Sequence, residues 1–82
     1  MGKVAITYKV FPESIEVQDA VKERLQALSP AQLTEVPVFG GLNAFKVIFV
    51  REDKEGTGNL EQELKKVEGV SEVQEGGVDL IS

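Results

Sequence analysis

The reactive groups in this 82-residue sequence are almost all carboxylates: fourteen Asp and Glu against nine Lys and Arg, with no Cys and no His. That composition excludes disulfides, thiolate chemistry, iron–sulfur and zinc sites of the usual ligand types, and histidine acid–base catalysis. The densest acidic run, Glu52-Asp53-Lys54-Glu55, lacks the alternating oxygen ligands and distant Glu of a calcium loop, so it reads as a solvated turn. No two carboxylates are marked out by spacing as a general acid and its base. Gly40-Gly41, Gly56-Thr57-Gly58 and Gly76-Gly77 lack the spacing and the Lys-Ser/Thr of a phosphate loop, and read as turns or bulges. The residue types point away from an enzyme, and neither cofactor nor metal is expected.

A net charge of −5 leaves little of the cationic surface that nucleic-acid binding draws on, so the expected partner is a protein rather than a nucleic acid. The run Asn43-Ala44-Phe45-Lys46-Val47-Ile48-Phe49 does not match the aromatic signature by which some sheets stack RNA bases. Phe39 stands apart from the other aromatics, at a turn between Val38 and two glycines, where large apolar side chains are poorly buried. Two readings are open: it folds back over the core edge, or it projects as an aromatic anchor for a partner's pocket.

The elements that must position such a residue follow from periodicity. Val4, Ile6, Tyr8 and Val10 alternate with Lys3, Ala5, Thr7 and Lys9, giving a first strand over Gly2–Phe11 with one buried face, stopped by Pro12. A helix over Ile15–Leu28 carries the stripe Val17, Ala20, Val21, Leu25 and Leu28, and Ser29-Pro30 ends it. The second strand, Gln32–Val38, contains Pro37 and is therefore an edge. Gly40-Gly41 turns the chain into Leu42–Arg51, whose apolar residues on both alternating faces mark it as interior. A second helix over Asn59–Glu68 places Leu60, Leu64 and Val67 inward, with Gly69 just past its end. The last strand, Val70–Ile81, is bulged or broken at Gly76-Gly77.

The order strand, helix, strand, strand, helix, strand in so short a chain predicts one α+β domain over 1–82. Its compact form is a four-stranded antiparallel sheet with two helices on one face, the split βαβ or ferredoxin-like arrangement, with strands one and three central. No run approaches the roughly 20 apolar residues of a spanning helix, and no charged-then-apolar leader precedes Val4, so a cytoplasmic location and no membrane contact are expected.

Three stretches together resemble archaeal elongation factor 1-beta, the short counterpart of the C-terminal exchange domain of eukaryotic elongation factor 1-beta. They are MGKVAITYKVFPES at the start, EVPVFGGLNAFKVIFV in the middle, and DKEGTGNLEQELKKVEGVSEV towards the end. The resemblance covers nearly the whole chain. It implies the same ferredoxin-like fold and a non-enzymatic role: guanine-nucleotide exchange on the translation GTPase elongation factor 1-alpha, by a factor that works as a monomer. In eukaryotic members a Phe in the hairpin turn enters a pocket of the GTPase, and a Lys near the C-terminus reaches its magnesium site.

Carried onto this sequence, the contact turn is Pro37, Val38, Phe39, Gly40 and Gly41. The family turn reads Pro, aliphatic, small residue, Phe, Gly, so here the aromatic falls one position early and Gly40 stands in the usual Phe slot. One step along a strand reverses side-chain direction, although a Gly-rich turn can absorb it. From Gly76 to Ser82 there is no basic residue, and no magnesium role is transferred. The alternative reading is a small-molecule-sensing or assembly module of the same fold, which pairs through an exposed edge or sheet face. An acylphosphatase-like enzyme would need an Arg-bearing basic loop that the sequence does not supply.

Overall fold

The structure, a computed structural model, describes residues 2–52 and 58–80. Its elements are β1 (Lys3–Pro12), α1 (Ile15–Ala27), β2 (Gln32–Phe39), β3 (Leu42–Glu52), α2 (Gly58–Lys65) and β4 (Val70–Leu80). The strands form one antiparallel sheet in the order β2-β3-β1-β4. The apolar-rich strands β1 and β3 are thus central, and the strands carrying Pro37 and Gly76-Gly77 are the edges, as the ferredoxin-like reading requires. Of the acidic run, Glu52 closes β3, while Asp53, Lys54 and Glu55 lie outside the described residues, as do Gly56, Thr57, Ile81 and Ser82.

One set of alternating side chains makes the core. Val4, Ile6, Tyr8 and Val10 of β1, Phe45, Val47 and Phe49 of β3, and Val73 of β4 are buried together with Val21 and Leu25 of α1 and Leu60 and Leu64 of α2. Both helices therefore cover the same face of the sheet. Burial of each large aliphatic or aromatic side chain contributes roughly 1.5–3 kcal/mol, which is what fixes helices too short to persist alone. On the opposite face, the side chains of Lys9, Lys46 and Ile48 are left partly or wholly exposed.

α1 begins from an extended Ser14, whose C=O accepts from the Val17 N–H at 3.3 Å. It ends one residue earlier than its periodicity suggests. Leu28 N–H and Ser29 N–H donate to the Leu25 and Gln26 carbonyls, and Ser29, barred from the right-handed α region by Pro30, takes φ +58. Leu28 consequently falls outside the stripe and is exposed.

α2 is also shorter than expected. The chain leaves it at Lys65 through i→i+3 bonds, Lys66 N–H to Glu63 O and Val67 N–H to Leu64 O, so Val67 is only half-buried. Gly69 is consequently not a cap directly after the helix. It lies in the tight turn into β4 at φ +93, where a Cβ would come within 2.9 Å of Val21 Cγ2. The glycine is required there by close approach of this turn to α1. Arg24 ties the same junction from outside, donating to Glu68 O at 2.7 Å. Gly69→Ala is expected to destabilise by about 1–3 kcal/mol, through overpacking against Val21 and strain at positive φ. At about 4–8 °C per kcal/mol for a domain of this size, the melting temperature would show it, and an unchanged value would contradict this packing.

Tyr8, the chain's one tyrosine, has its phenol pushed above its ordinary value by burial, then by the carboxylates of Glu75 and Glu61. The unfolded phenol ionises first, near pH 10, so the unfolded state binds fewer protons above that point and stability falls as pH rises further. Below pH 10 this group contributes no pH dependence. Alkaline melting curves should fall more steeply for the native protein than for Tyr8→Phe, with tyrosinate absorbance appearing only as the chain unfolds. Equal slopes would mean that the phenol ionises in place.

Candidate partner-binding site

The β2–β3 hairpin ends in Phe39-Gly40-Gly41-Leu42, where Phe39 and Leu42 pair and the two glycines form the turn. Gly40 and Gly41 have φ +57 and +86, the positive φ at both central residues that a two-residue I′ turn demands. This turn matches the right-handed twist of the strands, so the hairpin reaches its tip without splaying.

Just before the turn the register slips. Gln32 through Pro37 pair in sequence with Ile48 through Asn43, and the next pair is Phe39 with Leu42, leaving Val38 unpaired. Two residues of β2 oppose one of β3, which is a β-bulge. Its consequence is directional. Paired residues share a face, and Leu42 lies by alternation on the face opposite Asn43, Phe45 and Val47. The bulge thus turns Phe39 to the face that position 40 would take in an uninterrupted strand.

The tip is apolar and open to solvent. Phe39 is 73% exposed and Val38 38%, so Phe39 does not fold back over the core. Ile15, the first residue of α1 and 51% exposed, stands beside the turn, with its Cδ1 3.6 Å from where a Cβ on Gly41 would lie. Pro37 is exposed at the base of the bulge. The five residues read from sequence as a contact turn are therefore together at one end of the molecule, and Ile15 joins them.

Ile15 had a readable signal. It is a large aliphatic residue off the Val17, Val21, Leu25 stripe, on what should be the polar side of its helix. Less visible in the sequence were the groups that hold the hairpin to α1. Gln18 Oε1 accepts the Asn43 backbone N–H at 3.0 Å, next to the bulge. Asn43 Nδ2 donates to Glu35 Oε2 at 3.4 Å, and Lys22 Nζ meets Glu35 Oε1 at 2.7 Å. The hydrogen bond and charge of Glu35 hold the Lys22 ammonium above its ordinary pKa. An exposed pair of this kind adds little stability, and its role is to join the hairpin to the helix.

The tip presents an exposed aromatic on a two-residue turn, flanked by aliphatic side chains and two glycines. Among the described residues there is no group of three or more Asp or Glu placed to hold a metal ion, and no helix long and apolar enough to cross a membrane.

Residues 5–80 match the family model described as the EF-1 guanine nucleotide exchange domain. Elongation factor 1-beta of Methanosarcina acetivorans is 40% identical over 82 residues, covering 90% of this chain and 92% of that protein. Elongation factor 1-beta of Methanobrevibacter smithii is 38% identical over 81 residues, with 90% and 91% covered. Elongation factor 1-beta of Hyperthermus butylicus is 36% identical over 90 residues, spanning 100% of this chain and 98% of that protein. With the fold, the order of elements and these similarities in agreement along its length, the chain belongs to the EF-1 guanine nucleotide exchange domain family and is a guanine nucleotide exchange factor of translation elongation.

Proposed function

We propose that this chain, as a single exchange domain over 1–82, promotes release of GDP and reloading with GTP on elongation factor 1-alpha. It does so in the cytoplasm as a monomer, forming no covalent bond and contacting no nucleic acid directly. The contact turn is Pro37, Val38, Phe39, Gly40 and Gly41, with Phe39 as the anchor that enters a pocket of the GTPase. The observation that carries this reading is the exposure of Phe39 on a hairpin redirected by the Val38 bulge. In the family's turn the Phe stands one position later. The bulge gives Phe39 the direction of that later position, so the shift in sequence does not turn the aromatic away.

The mechanism is differential binding. A factor changes nucleotide affinity only as far as it prefers one state of the GTPase, and the coupling is reciprocal: bound GDP must weaken the factor by the same ratio. Phe39 supplies contact energy that is available when the GTPase adopts its weakly nucleotide-binding form. No residue from Gly76 to Ser82 is basic, so no magnesium-displacing role is assigned to that end.

Phe39→Ala should slow stimulated GDP release by about 30-fold or more, the equivalent of the roughly 2 kcal/mol that a buried aromatic anchor carries at an interface. Because the side chain is exposed in the free protein, its melting temperature should move by no more than about 3 °C. Release of a fluorescent GDP from elongation factor 1-alpha, alongside melting of the variant, measures both. Undiminished stimulation by the variant would remove Phe39 from the contact.

A further inference from the structure

The face of the sheet turned away from the helices carries a feature that the exchange reading leaves unused. β1 and β3 pair so that Lys9 and Lys46 stand directly opposite one another. Like charges at directly opposed positions destabilise a sheet, and this pair lies on the two central strands. In a chain of net charge −5, neutralising carboxylates should be easy to find. Yet the ion pairs among the described residues are Lys22–Glu35 and Arg24–Glu68, and neither Lys9 nor Lys46 takes part in one. Lys9 Nζ lies instead 5.4 Å from the centre of the Phe11 ring.

The two lysines border a groove of about 520 Å³ lined also by Thr7, Val36, Gly76, Gly77 and Asp79. The β4 side of this groove is open because of the bulge. Thr7 pairs with Gly77 and Tyr8 with Glu75, leaving Gly76 unpaired, where a Cβ would come within 3.1 Å of Thr7 Cγ2. At Gly77 a Cβ would meet nothing within 4 Å, so that stretch of the edge is bare backbone beside empty space. On the β3 side Ala44 is fully buried and Ile48 and Val50 half-buried, giving a flat, largely apolar surround.

We propose that this face is a second docking surface, separate from the Phe39 tip, and that its occupant is an acidic segment of a partner protein whose carboxylates pair with Lys9 and Lys46. Charge complementarity carries the assignment: two lysines opposed in the sheet, in no ion pair among the described residues and set among apolar side chains, match a segment that brings its own carboxylates and aliphatic stems. A nucleic acid fits less well. Two lysines neutralise only two phosphates, and Phe11, the aromatic next to Lys9 on which a base would stack, is covered by the Lys9 ammonium. Asp79, at one end of the groove, sets the direction by repelling carboxylates there. The surface does not depend on which GTPase the tip contacts.

Amide-resolved NMR titration of the intact protein tests this, with a capped hexaglutamate peptide, inorganic phosphate and a short single-stranded RNA as three separate probes. Hexaglutamate is expected to shift Thr7, Lys9, Lys46 and Gly77 saturably, with an affinity that falls as salt is raised and drops about tenfold in the Lys9→Gln/Lys46→Gln double variant. Phosphate should need a far higher concentration, and RNA should leave these amides unmoved. The double variant should also melt no lower than the native protein, since it removes a like-charge pair. The proposal is overturned if hexaglutamate gives no saturable shift, if the double variant binds it equally well, or if phosphate or RNA saturates the same residues at equal or lower concentration. A lower melting temperature of the variant would overturn the premise that the lysines face each other unpaired. GDP-release rates measured on the same preparations report separately on the exchange reading.

Discussion

The antiparallel register between β1 and β3 is the constraint on which the rest of this structure depends. Ile6 opposite Phe49, Tyr8 opposite Val47 and Val10 opposite Phe45 set three pairs of large side chains side by side on one face, all of them buried. A slip of one residue would turn the slipped strand's three to solvent and bring its lysine, Lys9 or Lys46, under the helices. The same pairing that makes the core therefore fixes the other face as well, including the opposed lysines. Both helices are held by what this register presents to them, and both edge strands are measured from it.

The functional end inherits its precision from that frame. β2 keeps register with β3 up to Pro37 and Asn43, and there the extra residue Val38 breaks the alternation once. Everything beyond the bulge is reversed in direction, including the aromatic. The turn glycines then close the hairpin with the backbone angles that a side-chain-bearing residue adopts rarely. α1 completes the site from below: Gln18 takes up a backbone donor beside the bulge, and Ile15 lies against the turn. For the contact proposed for Phe39, exposure comes from its position at the tip and direction from the bulge and the glycine turn on either side of it. Membership of the exchange-domain family gives the chain its exchange role, and in the proposed contact the bulge gives Phe39 the direction that the next position would take in an uninterrupted strand.

Much of this was legible in the sequence. Alternation in Lys3–Val10 and the two-faced apolar run of Phe45–Val50 gave the central strands, Pro37 and Gly76-Gly77 gave the edges, and Gly40-Gly41 gave the turn. The ends of the helices were less legible, because they depend on tertiary packing. Leu28 fits the helical period, but the residue before Pro30 cannot continue the helix. Gly69 reads as a cap, although the approach of Val21 to its turn is what requires a glycine there. The Val38 bulge could not be read in advance, since nothing in Pro-Val-Phe-Gly-Gly distinguishes a strand that slips register from one that does not. The choice between a tucked and a projecting Phe39 likewise hung on that slip. The opposed lysines were hidden for a similar reason: each sits unremarkably in an alternating strand, and only the pairing register brings them together.

The central claim is that binding of this chain lowers the affinity of a translation GTPase for its nucleotide. The direct measurement is the rate of release of a fluorescent GDP from purified elongation factor 1-alpha as the concentration of this protein is raised in the presence of excess unlabelled nucleotide. Exchange by differential binding gives a rate that rises and saturates, with bound GDP weakening the protein–protein complex in the same proportion. A release rate that stays at its spontaneous value up to saturating protein would contradict it.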